Sequence, residues 1–110
     1  MRGIIATYNK LLYDEAMKLI SNRALREFAA IHPSADTGLQ NWRRLIERGS
    51  YHNFSELKDT FGSVDKVGNR YVFNIGGNKF RLIASILFFT QQVFIKAVLT
   101  RSDYDQEKWK

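Results

Sequence analysis

The alternation of apolar and polar residues is strongest over residues 70–100, RYVFNIGGNKFRLIASILFFTQQVFIKAVLT. This stretch is rich in aromatic and β-branched residues, and it predicts three β-strands joined by two tight turns. The first turn falls at residues 76–78, Gly-Gly-Asn, and the second at residues 90–92, Thr-Gln-Gln. Because glycine adopts positive φ at little cost, the first turn suits a right-twisted antiparallel hairpin.

Strand alternation assigns the side chains of the second and third strands to two faces of the sheet. In the second strand, one face carries Lys79, Arg81, Ile83 and Ser85, and the core face carries Phe80, Leu82, Ala84 and Ile86. In the third strand, Lys96 shares a face with Phe94 and Val98, opposite Ile95, Ala97 and Leu99. We therefore expect one apolar face and one cationic face, with Arg81 exposed to solvent on the latter.

The pattern before residue 70 predicts a short strand at residues 18–20 and then two helices. Ser21 or Asn22 caps the first helix, and Ser34 or Asp36 caps the second. The inward side of the first helix carries Leu25, Phe28 and Ala29, and that of the second carries Leu39, Trp42, Leu45 and Ile46. We expect Trp42 to lie in the core, since its spacing matches that apolar stripe.

Weaker signals complete the chain. Ser55 is a cap candidate for a short turn of helix, residues 63–67 form a weak strand, and Gly68-Asn69 is a turn. After residue 100 the chain becomes polar and predicts a short last helix. The element order predicts an α+β domain, with two N-terminal helices packed on one face of a twisted, mainly antiparallel sheet.

Residues 1–16 stand apart from the single domain predicted for residues 17–110. Their apolar positions follow helical spacing, and Met17 opens a segment that resembles a natural protein start. Residues 1–16 are therefore either an extension from an alternative start codon or a helix that docks on the domain or on a second chain. The extension is the simpler interpretation.

Charge gives the first indication of function. The chain of 110 residues has 17 Lys and Arg against 11 Asp and Glu, a net charge of +6. Between Lys66 and Ser102 there is no acidic residue. A cationic sheet face without acids indicates a polyanionic partner such as a nucleic acid. The alternative is an ordinary solvated surface whose basic residues discourage edge-to-edge aggregation.

Several classes of site are disfavoured by residue type. The chain has no cysteine and only His32 and His52, so neither a thiolate zinc site nor a histidine-rich metal site is expected, and no cofactor is predicted. The longest apolar run is too short to span a membrane, and we see no signal peptide, so we expect a cytoplasmic protein without membrane contact. We expect His52 to be a surface residue.

No standard catalytic motif is present, and phosphate chemistry by cations is what remains. RNA can be cut without a metal when its own 2′-OH attacks the adjacent phosphorus. The protein then has to orient the attack, stabilise charge and assist proton transfer. Arginine suits charge stabilisation because its planar fork matches two phosphate oxygens.

Three segments carry a resemblance to a known family. They are residues 17–28 with the following His32-Pro33, residues 71–83 with the phrase FNIGGNKFRLI, and residues 94–105, which end in Asp-Tyr-Asp. Together they resemble the HigB-type toxins of bacterial toxin–antitoxin modules, within the RelE/ParE-like superfamily. The likeness covers residue 17 to about residue 105.

The resemblance implies a small α+β endoribonuclease that cleaves mRNA during translation in the ribosomal A site. It also implies a helix-turn-helix, HigA-like antitoxin, through which the complex would contact operator DNA. The catalytic candidates are Arg81, Lys96, Arg101 and Tyr104, and the resemblance places Asn74 and Asn78 in the family's hairpin as RNA-binding candidates. The basic charge of the strands adds Arg70 and Lys79 as further RNA-binding candidates. Simpler structural roles for some of them stay open: Asn74 could only fix the hairpin, Asn78 could only adopt a left-handed turn conformation, and Tyr104 could only cover the end of the sheet.

The chain departs from the family pattern at Arg101, where the family usually has histidine, and at Asp103, where it usually has glutamate. Histidine exchanges protons near neutral pH, whereas arginine stays charged. Arg101 would then contribute charge only, or the nuclease would be weakened. Two alternatives therefore stay open: a non-enzymatic binder of the same fold, acting on gyrase or serving as antitoxin partner, and a plain RNA-binding protein.

Overall fold

The computed structural model describes residues 16–20, 22–107 and 109. The predicted helix or extension at the start of the chain therefore lies outside the described residues, apart from Ala16, and so does the candidate cap Ser21. The described strands are β1 (Lys18–Ile20), β2 (Asp65–Val67), β3 (Arg70–Ile75), β4 (Phe80–Leu87) and β5 (Gln92–Thr100). The described helices are α1 (Arg23–Ile31), α2 (Asp36–Arg48), α3 (Phe54–Thr60) and α4 (Arg101–Asp105), with a 3-10 turn over Pro33–Ala35.

The strands form one five-stranded sheet in the order β1-β5-β4-β3-β2. Strands β2 to β5 form the predicted antiparallel meander, while β1 pairs with β5 in parallel. A mainly antiparallel sheet with helices is the α+β class that the sequence predicts. Both edge strands have only three residues, which limits the open backbone that each edge presents.

Helices α1 and α2 bury their apolar stripes against one face of the sheet. The Trp42 ring meets Phe73 at 5.4 Å between centroids, and the Phe28 ring meets Phe80 at 5.6 Å. Trp42 is 3% exposed, so its predicted place in the core is confirmed. Leu45, predicted to face inward, is 36% exposed because it lies about 120° around the helix from Leu39, outside the buried stripe.

No helix within the described ranges is both long enough and apolar enough to cross a membrane.

The N-cap residue of α1 is Asn22, one of the two predicted, whereas the N-cap residues of α2 and α3 differ from those predicted. Asn22 and Ala35 precede α1 and α2, and neither makes a side-chain cap bond. The cap of α3 is Asn53 instead of Ser55, with its Oδ1 accepting the Glu56 backbone N–H at 2.9 Å. More than one Ser, Asp or Asn residue lies at or near the start of each of these helices, and propensity does not decide which residue takes the cap position.

The predicted faces of β5 are wrong after Ile95. Ile83 pairs with Ala97 and Ala84 with Ile95, so Lys96 has no partner on β4 and forms a β-bulge. Beyond this extra residue the alternation is reversed. Val98 pairs with Leu82 and packs on the core. Ala97 and Leu99 pair with Ile83 and Arg81 and therefore lie on the opposite face.

The face opposite α1 and α2, called the outer face below, is not a row of solvated cations. Ile83 on β4 and its partner Val72 on β3 lie on this face and are 1% and 3% exposed. Arg81, predicted to be exposed here, is 9% exposed. The expectation of a cationic, solvent-exposed face is therefore wrong, since apolar side chains are buried on both faces of β4.

Candidate functional site

The candidate residues converge where the β3–β4 hairpin meets the end of β5. Phe80 pairs with Thr100, and the Arg101 backbone N–H donates to the Lys79 carbonyl at 3.0 Å. Thr100 also caps α4, because its Oγ1 accepts the Asp103 N–H at 3.1 Å. The chain thus turns from β5 into α4 directly beside the start of β4, which brings the hairpin and α4 together.

Arg81 is held at this junction by three neutral oxygens. Its Nη1 donates to the carbonyls of Asn78 at 3.2 Å and Phe80 at 3.1 Å, and its Nη2 donates to Asn78 Oδ1 at 2.8 Å. These bonds explain why the side chain is buried, since the turn folds its oxygens onto the guanidinium. None of these acceptors carries a charge, so they orient the cation without neutralising it, and its field can act on an anion.

Two glycines shape the turn that supplies these oxygens. Gly76 has φ +63° and Gly77 has φ +72°, so they take the left-handed conformations, and Asn78 does not. Helix α2 approaches the turn closely: a Cβ on Gly38 would lie 2.8 Å from the Gly76 nitrogen. Helix α2 therefore packs directly against the turn, and this contact limits movement of the Asn78 oxygens relative to Arg81.

Tyr104 of α4 contacts Arg81 from the outer face. The Arg81 Cζ lies 5.7 Å from the centroid of the Tyr104 ring, within the range of a cation–π interaction. The Trp109 ring stacks on Tyr104 with centroids 5.2 Å apart and planes 5° from parallel. Trp109 Nε1 also donates to the Tyr104 carbonyl at 3.3 Å. Sequence reasoning missed Trp109, although an aromatic residue in so polar a segment was a visible signal.

Three other candidate cations are exposed: two lie near the junction, and the third lies on β5. Lys79 precedes β4, Lys96 occupies the bulge of β5, and Arg101 opens α4. Lys96 Nζ lies 5.9 Å from the centroid of the Phe94 ring, and Arg101 Nε lies 3.8 Å from Asp105 Oδ2. An exposed pair at that distance is weak and screened by salt, so it leaves Arg101 able to exchange partners.

Asn74 and Arg70 occupy different ends of β3. Asn74 pairs with Arg81 across the hairpin and is partly buried, so it belongs to the junction. Arg70 pairs with Val67 at the far end of the strand, about 13 Å from Asn74 at 3.3 Å per residue. The structure therefore brings six of the eight predicted residues to the junction, and it leaves Arg70 and Lys96 further along β3 and β5.

His52 lies outside this junction, at the start of α3, and is exposed as predicted. Its backbone N–H donates to Glu56 Oε1 at 2.9 Å, and its ring Nδ1 lies 3.0 Å from the same oxygen. These two hydrogen bonds lower the pKa of Glu56, the backbone bond having the larger effect. Among the described residues, no three His, Cys, Asp or Glu side chains gather as they would to hold a metal ion.

Comparison with known proteins shows which family the chain resembles. Residues 35–107 match the HigB toxin family, described as the RelE-like toxic component of a toxin–antitoxin system. The mRNA interferase toxin HigB of Escherichia coli K12 is 35% identical over 92 residues, covering 81% of this chain and 88% of that protein. The mRNA interferase HigB of Shigella flexneri shows the same identity and coverage.

A more distant relative aligns over a similar length. The mRNA interferase HigB of Escherichia coli O6:H1 is 29% identical over 93 residues, covering 82% of this chain and 90% of that protein. The family match begins at residue 35, in the 3-10 turn before α2, and ends at residue 107, so it includes β3, β4, β5 and α4. On this evidence the chain belongs to the HigB toxin family, the RelE-like toxic components of toxin–antitoxin systems.

Proposed function

We propose that this protein is an mRNA interferase, an endoribonuclease that cuts messenger RNA while the message is being translated on the ribosome. The names of its relatives support the activity. The observation that carries the proposal is the Arg81 guanidinium, buried and held by neutral oxygens only, at a junction with several exposed cations. Such a site attracts a phosphodiester and has no carboxylate bonded to its central cation to compete with it.

The proposed reaction is attack of a ribose 2′-OH on the adjacent phosphorus. The bond from phosphorus to the 5′-oxygen breaks, leaving a 2′,3′-cyclic phosphate and a 5′-OH, so atoms and charge balance without another reactant. Arg81 contacts the non-bridging oxygens, on which negative charge grows in the transition state. Its fixed position helps, since a preorganised donor requires little reorganisation during the reaction.

The remaining candidate residues take roles set by their chemistry. Arg101 contributes charge only, since arginine does not release its proton in proteins. Tyr104 and Lys96 are the groups that could exchange a proton with the 2′-OH or the leaving oxygen. The RNA beside the hairpin contacts Lys79, Asn78 and Asn74. Further along, the same RNA chain contacts Arg70.

Membership in the family implies an antitoxin as partner and mRNA as substrate. We propose further that the antitoxin is a HigA-like helix-turn-helix protein, and that this chain contacts operator DNA only through it. Blocking the junction, or excluding the toxin from the ribosome, would both silence the site. The cytoplasm, where translation takes place, is the proposed compartment.

Induction in a bacterial host, followed by primer extension on an abundant transcript, tests this function. We expect discrete, in-frame cuts in the wild type and none with Arg81→Lys, which keeps the charge but loses the planar fork. A thermal melt of the purified variant shows whether it is folded. Growth arrest without cuts would overturn the proposal.

The replacement of the usual histidine by Arg101 favours one second candidate, a toxin that acts by binding a protein such as gyrase. In that case, arrest would come with altered DNA supercoiling and intact transcripts. Cuts with unchanged supercoiling would exclude it.

A further inference from the structure

A cavity of about 480 Å³, called the edge cavity below, lies between helix α2 and the end of β3. One side is lined by apolar side chains, among them Trp42, Leu45 and Phe61, and the other side includes Arg44, Asn74 and Gly77. Within the described ranges, no acidic residue lines this cavity. Its volume falls in the range of pockets that hold a small organic molecule.

The end of β3 presents one pair of main-chain groups to this side. Strand β2 pairs with β3 only over residues 70–72, so residues 73–75 have no further strand beside them in the described sheet. The two-residue turn at residues 68–69 makes Val67 and Arg70 a hydrogen-bonded pair, and alternation then directs the N–H and C=O of Asn74 to the open edge. A single donor and acceptor are too few for an added peptide strand, but they match the edge of a nucleobase.

Trp42 adds an unpaired donor. Its side chain is buried, and its Nε1 has no hydrogen-bond acceptor in the part of the chain that the structure describes. Buried donors are nearly always paired, because an unpaired one loses its hydration without compensation. An unpaired N–H on a residue that lines a cavity therefore indicates an occupant that brings an acceptor.

Two exposed side chains of α2, Arg44 and Leu45, line the same cavity. Arg44 Nη1 donates to Asn41 Oδ1 at 3.1 Å, and this neutral acceptor orients the guanidinium without neutralising it. Leu45 lies outside the buried stripe of its helix, so its apolar surface is available to a ligand. An apolar surface next to an uncompensated guanidinium suits the two halves of a nucleotide, its base and its phosphate.

We propose that the edge cavity holds one unpaired nucleotide of the RNA substrate. Its base lies against Leu45 and Phe61 and bonds to the main chain of Asn74, and its phosphate binds Arg44. Asn74 lies between this site and the reaction site, since Arg81 is its partner on the opposite side of β3. The inference rests on the proposed ribonuclease function, to which it adds a point of base recognition away from the reacting atoms.

Trp42 is a natural reporter for this site, because Trp109→Phe leaves it as the single tryptophan of the chain. The Trp109→Phe protein is titrated with a short single-stranded RNA whose 2′-oxygens are methylated, so that 2′-OH attack cannot cut it. We expect a saturable change in Trp42 emission that follows binding, which is measured independently by the anisotropy of a dye on the RNA. Binding without any change at Trp42 would overturn the proposal.

Two neighbouring arginines separate a phosphate contact from general attraction. Arg44→Gln should weaken RNA binding about tenfold and lower the slope of log affinity against log salt by about 0.7, as expected for one lost contact to a single strand. Arg43→Gln removes the same charge from a residue that lies outside the edge cavity and bonds to Glu47 at 3.2 Å, so it should weaken binding less than twofold. Equal losses in the two variants would overturn the proposal, because the attraction would then come from the overall charge.

Free nucleotides and cleavage assays separate this inference from the function on which it rests. If 5′-mononucleotides change Trp42 emission but the RNA does not displace them, the cavity takes a free nucleotide and the proposal fails. If the RNA changes Trp42 emission but the wild type makes no cuts on mRNA-loaded ribosomes, the ribonuclease function fails and the cavity stays an RNA-binding site. If the wild type cuts and Trp42 does not respond, only the present inference fails.

Discussion

The two turns of the meander are built for different purposes. The β3–β4 turn, residues 76–79, places its oxygens around the Arg81 guanidinium. In the β4–β5 turn, residues 88–91, the Gln91 Nε2 donates to the Phe88 carbonyl at 2.8 Å within the turn and to the Tyr51 carbonyl at 2.6 Å outside it. One turn orients a cation, and the other ties the end of the sheet to the loop after α2.

This difference shows that turn geometry alone does not reveal a role. Both turns contain left-handed residues, Gly76 and Gly77 in one and Gln91 in the other. What separates them is the hydrogen-bond partner that each polar side chain finds: Asn78 accepts from a guanidinium, and the Gln91 Nε2 donates to carbonyls. Asn78 bonds to a charged group that can act on a substrate, whereas Gln91 bonds to backbone oxygens, which stabilises the fold only.

The largest effect on function is expected from Arg81→Lys. It removes the paired N–H donors at the proposed phosphate site while keeping the positive charge, so cleavage should fall about 10²- to 10³-fold. The rate on mRNA-loaded ribosomes measures this loss. A variant that is folded and cuts within threefold of the wild type would remove Arg81 from the mechanism.

Substitutions of Asn78 should give intermediate effects and separate stability from activity. Asn78→Ala loses the 2.8 Å bond to Arg81, so we expect about a tenfold slower cleavage and a stability loss of about 1 kcal/mol. Asn78→Asp should keep or raise stability but slow cleavage further, since its carboxylate would neutralise the guanidinium. Urea unfolding measures the stability of both Asn78 variants, and the cleavage rate on mRNA-loaded ribosomes measures their activity. An aspartate variant as active as the wild type would contradict the role assigned to the uncompensated charge.

The β4–β5 turn should respond in stability alone. Gln91→Ala loses the two hydrogen bonds of its Nε2 and the long 3.5 Å bond from the Ser50 hydroxyl to its Oε1, and it should lower the free energy of unfolding by about 2 kcal/mol, with cleavage within twofold of the wild type. Gln91→Gly loses the same bonds but accommodates φ +57° more easily, so it should be the more stable of the two by about 1 kcal/mol. Urea unfolding of both variants tests this order. A large loss of activity in either would end the contrast between the two turns.

The smallest effect is expected at Phe89, which is fully exposed in the same turn. Phe89→Ser should change the free energy of unfolding by less than about 0.5 kcal/mol and leave cleavage unchanged. The same two assays serve as the control for the other variants. A marked effect on stability or cleavage would mean that the Phe89 ring makes a contact that matters for folding or activity.

The sequence predicts the strands and helices well, because burial on one face imposes a regular period. The stripe with Leu39, Trp42 and Ile46 is buried as expected, and residues 80–86 alternate between the two faces of the sheet, although both faces are buried there. The period fails where the backbone departs from regular pairing, as at Lys96. No local preference of a lysine marks a bulge, since the extra residue is decided by how two strands are paired.

At the candidate site, the sequence predicts which residues gather but not how they are held. The resemblance placed Arg81, Arg101 and Tyr104 together, and the hairpin and α4 do meet. The burial of Arg81 could not be predicted, because it depends on the Asn78 and Phe80 carbonyls, and main-chain oxygens leave no signature in the amino-acid pattern. Trp109 was missed because its stacking on Tyr104 depends on the turn after α4.

The bulge at Lys96 sets how variants of β5 should be interpreted. In a saturation scan of this strand, tolerance to polar substitutions would follow one parity before residue 96 and the opposite parity after it. Ile95 and Val98 would both reject charge although they are three positions apart, an odd spacing in a strand of period two. An alignment of relatives that lack the extra residue needs its gap at this position. If the gap were placed at another position, the alignment would match inward-facing residues with outward-facing ones along the part of β5 that leads into α4.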